Sequence, residues 1–180
     1  MSARIGVERF GPGERIPRPR AGDFVLIRRD SWIGTVIHWV QRLRFPDRED
    51  RRYLHWTHAA FVTAASGRLI EAGSRGVVAQ TLEKYDGIEY HYVHVNATDS
   101  ARWAAVLYAE SCVGQSYGRL DFLALGLAAL TGRQLGPRDP RTQNCVALVV
   151  RALEHMKGSF GREPLDMMPA DLAKHYNVTP

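Results

Sequence analysis

The chain has 180 residues, enough for one domain with a sizeable core, and its apolar and charged fractions of 45% and 24% are those of an ordinary globular protein. Two cysteines, Cys112 and Cys145, exclude a disulfide framework. The formal charge of +5 and the pI near 9.5 suit an anionic surface such as wall polymer or membrane headgroups, although solubility alone accounts for an excess of this size.

Residues 1 to 20 are rich in Gly, Pro and Arg without periodicity, and read as a basic, flexible arm ahead of a single domain over residues 21 to 180. The arm has no apolar core of the secretory-signal kind, and the longest apolar run, Phe122 to Leu130, is about half of a membrane span. A cytoplasmic, reducing compartment is therefore the default expectation, with a phage virion as the alternative. Arginine outnumbers lysine 21 to 3, which we read as a genomic composition bias.

Gly22-Asp23 opens FVLIR, a short buried-type strand. Ser31 then caps a helix whose residues Trp32, Ile33, Val36, Ile37, Trp39, Val40 and Leu43 form a wide apolar stripe. Two tryptophans on one stripe suit a substrate groove or a membrane interface, but core packing is the expectation. Residues 44 to 53 form a mixed-charge loop.

Residues 56 to 64 are β-rich, Ser66-Gly67 signals a turn, and Arg68 to Ala72 returns as a second strand. Alternation sets His58, Ala60 and Val62 on one face. A two-residue hairpin at Ser66-Gly67 would pair Glu71 with Val62, on the face of His58 but about 13 Å along the strand. Gly76 to Val78 and residues 88 to 95 supply further strands. Asp99 or Ser100 caps a helix to about Val113, residues 117 to 132 suggest another, and a loop over 133 to 141 leads onward. Pro169 starts a last short helix.

The stretch from Thr142 to Gly158, TQNCVALVVRALEHMKG, reads as one helix buried on most sides. Thr142 or Asn144 serves as N-cap, and Lys157-Gly158 closes it. Cys145 lies in its first turn. A helix N-terminus favours the thiolate and offers N–H groups to an oxyanion, so a cysteine there has the setting of a nucleophile.

Other constellations are weaker. His55/His58 and His91/His94 are each three apart in strand-like sequence, so each pair points to opposite faces, and no metal site or cofactor is expected. No glycine-rich phosphate loop or Gly-x-Ser-x-Gly elbow is present. Nucleic-acid binding would rest on arginine count alone and is not expected.

Taken in order, GDFVLIR, THAAFVTAASGRLIEA, NCVALVVRAL and MMPADLA resemble the NlpC-type papain-like cysteine hydrolases in circularly permuted form. This is the branch with YiiX-like proteins and relatives of lecithin retinol acyltransferase. The match spreads over residues 21 to 174, and order and spacing carry it. Where the family usually has Ser-Glu or Ser-Gly after the nucleophile, this chain has Val146-Ala147.

The resemblance implies an α+β, circularly permuted papain-like (NlpC-type) fold, with a small antiparallel barrel-like sheet packed on the Cys-bearing helix and the Trp103 and Phe122 helices completing the core. It implies Cys145 as nucleophile, His58 as base and Glu71 as third polar residue, with Trp56 and Asn144 as candidate substrate contacts. The expected activity is a thiol hydrolase working through an acyl-enzyme, an amidase or peptidase on peptidoglycan-type peptides. The alternatives are a lipid acyl hydrolase or acyltransferase, and a phage tail or cell-envelope assembly component that retains the fold.

Overall fold

The computed structural model describes residues 6–115 and 144–180. Six strands form one antiparallel sheet: β1 (Val7–Phe10), β2 (Phe24–Ile27), β3 (His58–Val62), β4 (Arg68–Gly73), β5 (Gly76–Thr81) and β6 (Tyr90–Val93), in the order β1-β6-β2-β3-β4-β5. Among the described residues the helices are α1 (Trp32–Arg44), α2 (Asp99–Ser111), α3 (Cys145–Glu154) and α4 (Pro169–His175). The chain is thus an α+β protein, and among the described residues the sheet is open, with β1 and β5 as its edges. The expected helix over residues 117 to 132, the loop over 133 to 141 and the Thr142 cap lie outside the described residues.

The central strands are apolar on both faces because both are covered. Phe24, Leu26, Phe61 and Ile70 pack with Leu148, Val149 and Ala152 of α3 and with Ala105, Val106 and Ala109 of α2. Val25, Ile27, Val62 and Leu69 face the other way, against Tyr85, Tyr90, Tyr92, Phe10 and Ile16. The last two correct the expectation of a loose arm. From Val7 onward the N-terminal segment is docked: β1 pairs with β6, Ile16 N–H donates to Tyr90 Oη at 3.2 Å, and Arg20 N–H to Tyr92 Oη at 2.7 Å. An apolar second sheet face needs a cover, and this segment supplies it.

Asp23 shows what the Gly-Asp start of β2 is for. Its carboxylate is fully buried and accepts from Val95 N–H at 3.0 Å, Arg102 Nη1 at 2.9 Å and His94 Nδ1 at 3.1 Å, tying β2 to β6 and α2. Gly22 takes a left-handed φ of +92°, and a Cβ there would stand 2.8 Å from the Arg102 side chain. Thr98, rather than Asp99 or Ser100, caps α2 by accepting from Ala101 N–H at 3.3 Å.

Helix α1 departs from expectation in its orientation. Ile33, Ile37 and Val40 pack inward with Met168, whereas Trp32 (76% exposed), Val36, Trp39 (64%) and Leu43 face outward. The helix is apolar on two faces, and the core takes the one without tryptophan. Helix α3 is buried at every position from Cys145 to Val150. Its regular part ends at Glu154; Lys157 takes the left-handed turn at φ 66°, and Gly158 N–H closes it on Leu153 O at 3.0 Å.

Candidate active site

The β3–β4 hairpin places the first two residues of the site. Phe61 pairs with Ile70 and Val62 with Leu69, while Thr63 N–H donates to Arg68 O at 2.8 Å. The turn therefore occupies Ala64 to Gly67, closed by Gly67 N–H on Ala64 O at 3.0 Å, with Gly67 at φ +83°. This register corrects the two-residue hairpin. Extended along the strands, it sets Glu71 opposite Ala60, two residues nearer His58, and an even shift keeps it on the same face. Diagonal neighbours of that kind lie roughly 7–8 Å apart at the backbone, within reach of two long side chains. His58 Nε2 donates to Glu71 Oε2 at 2.7 Å, and both side chains are buried.

Glu71 has two further donors. Lys84 Nζ donates to Oε1 and Tyr85 Oη to Oε2, both from the short 3-10 turn Leu82–Tyr85 that follows β5. Burial alone would raise the Glu71 pKa, but the hydrogen bond and charge of His58, with Lys84 and Tyr85, hold it far below the usual carboxylate range. Burial, reinforced by the Glu71 charge, pushes the Tyr85 phenol well above its ordinary value, so it remains a donor. Sequence reasoning passed over Lys84 and Tyr85. The signal that could have found them is energetic: a buried carboxylate requires donors, and Lys84-Tyr85 follows within the next turn of chain.

Cys145 is the first residue of α3. Asn144 caps the helix, its Oδ1 accepting from Ala147 N–H at 2.7 Å, while its Nδ2 donates to Leu165 O at 3.4 Å. The sulfur therefore sits at the positive end of a buried ten-residue helix. Burial pulls the His58 pKa down, but hydrogen bonds to Cys145 and Glu71, with the charges of both, outweigh it and raise the value above 6.5. Since Nε2 serves Glu71, Nδ1 is the ring nitrogen left for the thiol.

Cys145 and His58 line one cavity of about 90 Å³ with Arg29, Ser31, Gly34, Ile37, Ala72 and Ser74. It lies at the end of the sheet, where β3 begins and β4 stops. That volume is about three waters' worth, enough for a reacting acyl group but not for a whole donor. Helix α1 forms one wall, and Gly34 is the close approach: a Cβ there would come within 2.3 Å of Arg29 O. Gln41, fully buried, holds α1 in place. Its Nε2 donates to Leu54 O and Trp56 O at 3.3 and 3.0 Å, and its Oε1 accepts from Ala170 N–H at 2.8 Å. A second cavity of about 370 Å³ shares Arg29, Gly34 and Thr57 with the first and adds Arg28, Arg51, Arg52 and His55.

The structure thus brings Cys145, His58 and Glu71 together. Trp56 and Asn144 are placed otherwise. Trp56 is fully buried, donates from Nε1 to Val178 O at 3.1 Å and packs at a tilt against the His91 ring, and neither residue lines the thiol cavity. His55 is turned to Glu89, with Nε2 3.1 Å from Oε2. His91 also approaches Glu89 at 3.4 Å, and burial lowers its pKa to about 4. His94 joins Asp23 and Glu8. Among the described residues no cluster of three or more His, Cys, Asp or Glu could hold a metal ion, and no helix is long and apolar enough to cross a membrane. No protein-family model matches this chain, and a search of curated proteins gives no significant match.

Proposed function

We propose that this chain is a thiol acyl hydrolase of the permuted papain-like, NlpC type, with Cys145 as nucleophile, His58 as acid and base, and Glu71 as the group that orients and charges the imidazole. The observation that carries this reading is the buried His58–Glu71 hydrogen bond at 2.7 Å, with Cys145, at a helix N-terminus, lining the same cavity as His58. The chain order supports it as well: the Asp23 strand, the His58–Glu71 hairpin and then the Cys145 helix follow the permuted pattern.

The chemistry follows from the charges. A raised His58 pKa favours imidazolium beside thiolate. The thiolate attacks the acyl carbon, forming a C–S bond while the carbonyl oxygen becomes an oxyanion facing the α3 N-terminus. His58 Nδ1–H gives its proton to the leaving nitrogen or oxygen as the old bond breaks. The neutral imidazole then takes a proton from water, whose oxygen attacks the thioester, and the thiolate leaves. Glu71 remains ionised throughout, held so by Lys84 and Tyr85.

The resemblance points to a peptide amide of the peptidoglycan type as donor. A lipid ester is the second reading, favoured by the outward stripe of Trp32, Val36, Trp39 and Leu43 on the helix that walls the cavity. Incubation with wall tetrapeptides and with phospholipid vesicles, following released amine and fatty acid, separates the two. Release that persists in Cys145→Ala would remove the thiol mechanism. Cys145-dependent fatty-acid release with the peptides untouched would select the lipid donor.

A further inference from the structure

Among the described residues, the outward face of α1 carries four of the seven exposed large apolar side chains. Trp32, Val36, Trp39 and Leu43 are 76, 36, 64 and 42% exposed. At 3.6 residues per turn they fall within an arc of about 60°, a single stripe along roughly 20 Å of helix. Exposed large apolar residues scattered singly need no explanation, but four in register on one helix do.

The charge around the stripe has one sign where it counts. Residues 31 to 46 contain no aspartate or glutamate. Arg42 lies on the helix beside the stripe, and with Arg51 it shares a surface depression of about 620 Å³ lined also by Trp39 and Leu43. Arg51 then continues into the neighbouring cavity with Arg28 and Arg52. A basic rim thus runs along one flank of the indoles. Of the acidic residues at the two ends, Asp30 pairs with Arg28 of this rim at 3.5 Å and Asp50 with Lys174 at 2.8 Å, while Asp47 and Glu49 are exposed in the loop that follows the helix.

Indoles favour the boundary between acyl chains and headgroups, where the ring is in an apolar medium and the N–H stays wet. Arginines beside them reach phosphate. We infer that α1 is an interfacial helix that seats the protein on an anionic phospholipid surface, with the Trp32–Leu43 stripe inserted and Arg42, Arg51 and Arg52 on the headgroups. Seated this way, the inner side of the same helix (Ile33, Gly34, Ile37) still walls the thiol cavity, so the bilayer and the sulfur lie on opposite sides of one helix. The inference does not depend on the hydrolase reading, since docking requires no chemistry at Cys145.

The test uses the full chain carrying Cys145→Ala, so that no lipid is consumed. It is mixed with vesicles of phosphatidylcholine alone and of phosphatidylcholine with phosphatidylglycerol. Binding to the anionic vesicles, weakened by salt, and quenching of tryptophan emission by bromine-labelled acyl chains are expected. Trp32→Ser with Trp39→Ser should lower partitioning about tenfold or more and remove the quenching. Arg42→Glu with Arg51→Glu should weaken binding to the anionic vesicles selectively. Trp103→Ser, an equally exposed indole on α2, should change neither. The substituted side chains are exposed, so these variants should keep the native circular dichroism. Absence of vesicle binding, or undiminished binding by the double tryptophan variant, overturns the inference. So does a vesicle-independent dimer that the same double substitution dissolves, which would make the stripe a contact between copies.

Discussion

Glu71→Gln tests the core of the site. Three donors converge on this carboxylate: His58 Nε2, Lys84 Nζ and Tyr85 Oη. An amide has one acceptor oxygen, so at least one donor would meet an NH₂ group. The Lys84 ammonium, its side chain 27% exposed, would also lose its counter-charge. Breaking a buried ion pair by removing one partner costs about 3–5 kcal/mol, and partial access of Lys84 to water reduces this to about 2–4 kcal/mol. The sign with pH is fixed. The folded-state pKa of Glu71 lies below its ordinary 4.5, so its stabilisation is in place above about pH 4.5 and drains away as pH falls. The gap between native and variant in urea denaturation should therefore close on acidification. The chemical readout is separate. Without the carboxylate His58 is less readily protonated, so iodoacetamide labelling of Cys145 should move to higher pH, and turnover should fall by about 10²–10⁴. A variant that labels with the native pH profile and folds normally would show that Glu71 does not charge the ring.

Cys145→Ala should abolish turnover while preserving the fold, and Cys145→Ser should keep at most a trace, because His58 would have to activate a far less acidic hydroxyl; circular dichroism and an acyl-release assay check both. His58→Ala should suppress labelling of Cys145 near pH 6 and cost more turnover than Glu71→Gln, while His55→Ala, turned to Glu89, should leave turnover nearly intact. The stabilisation from His58, whose folded pKa lies above 6.5, should be present below that pH and lost as pH rises through the folded value, a trend absent from the alanine variant in pH-dependent denaturation. Gln41→Leu should cost about 2–4 kcal/mol in urea denaturation, since it strands Trp56 O and Ala170 N–H in the interior, while Leu54 O keeps His38 Nδ1 at 3.0 Å.

Much of the frame is written in short-range signals. The Ser31 cap, the Asn144 cap, the Pro169 start and the apolar runs of β2 and β3 each state their element locally, and the structure places them within a residue or two. His58 and Glu71 share a face by strand parity alone. Their distance was not legible, because Ala64-Ala65-Ser66-Gly67 accommodates either a two- or a four-residue turn, and the choice moves Glu71 by two positions. The N-terminal segment misled for a related reason. Gly and Pro break periodicity, but Phe10 and Ile16 need only land on a sheet face that requires cover.

The same limit explains α1 and bears on what the molecule does. Periodicity reports which faces of a helix are apolar; it does not report which of them finds a partner, since that depends on elements far away in sequence. In α1 both faces qualify. Met168, 129 residues from Trp39, takes the side of Ile33, Ile37 and Val40 and leaves the indoles outside. Trp56 shows the converse: it lies two residues before His58 and looks like a substrate contact, yet it is consumed by Val178 O and His91. Proximity in sequence to a candidate catalytic side chain therefore says little about access to it. What sets the candidate site apart is the destination of each polar atom. Asn144 and Trp56 spend theirs on backbone, whereas His58 spends one nitrogen on a carboxylate that three donors keep charged, and on the proposed reading the other serves the sulfur.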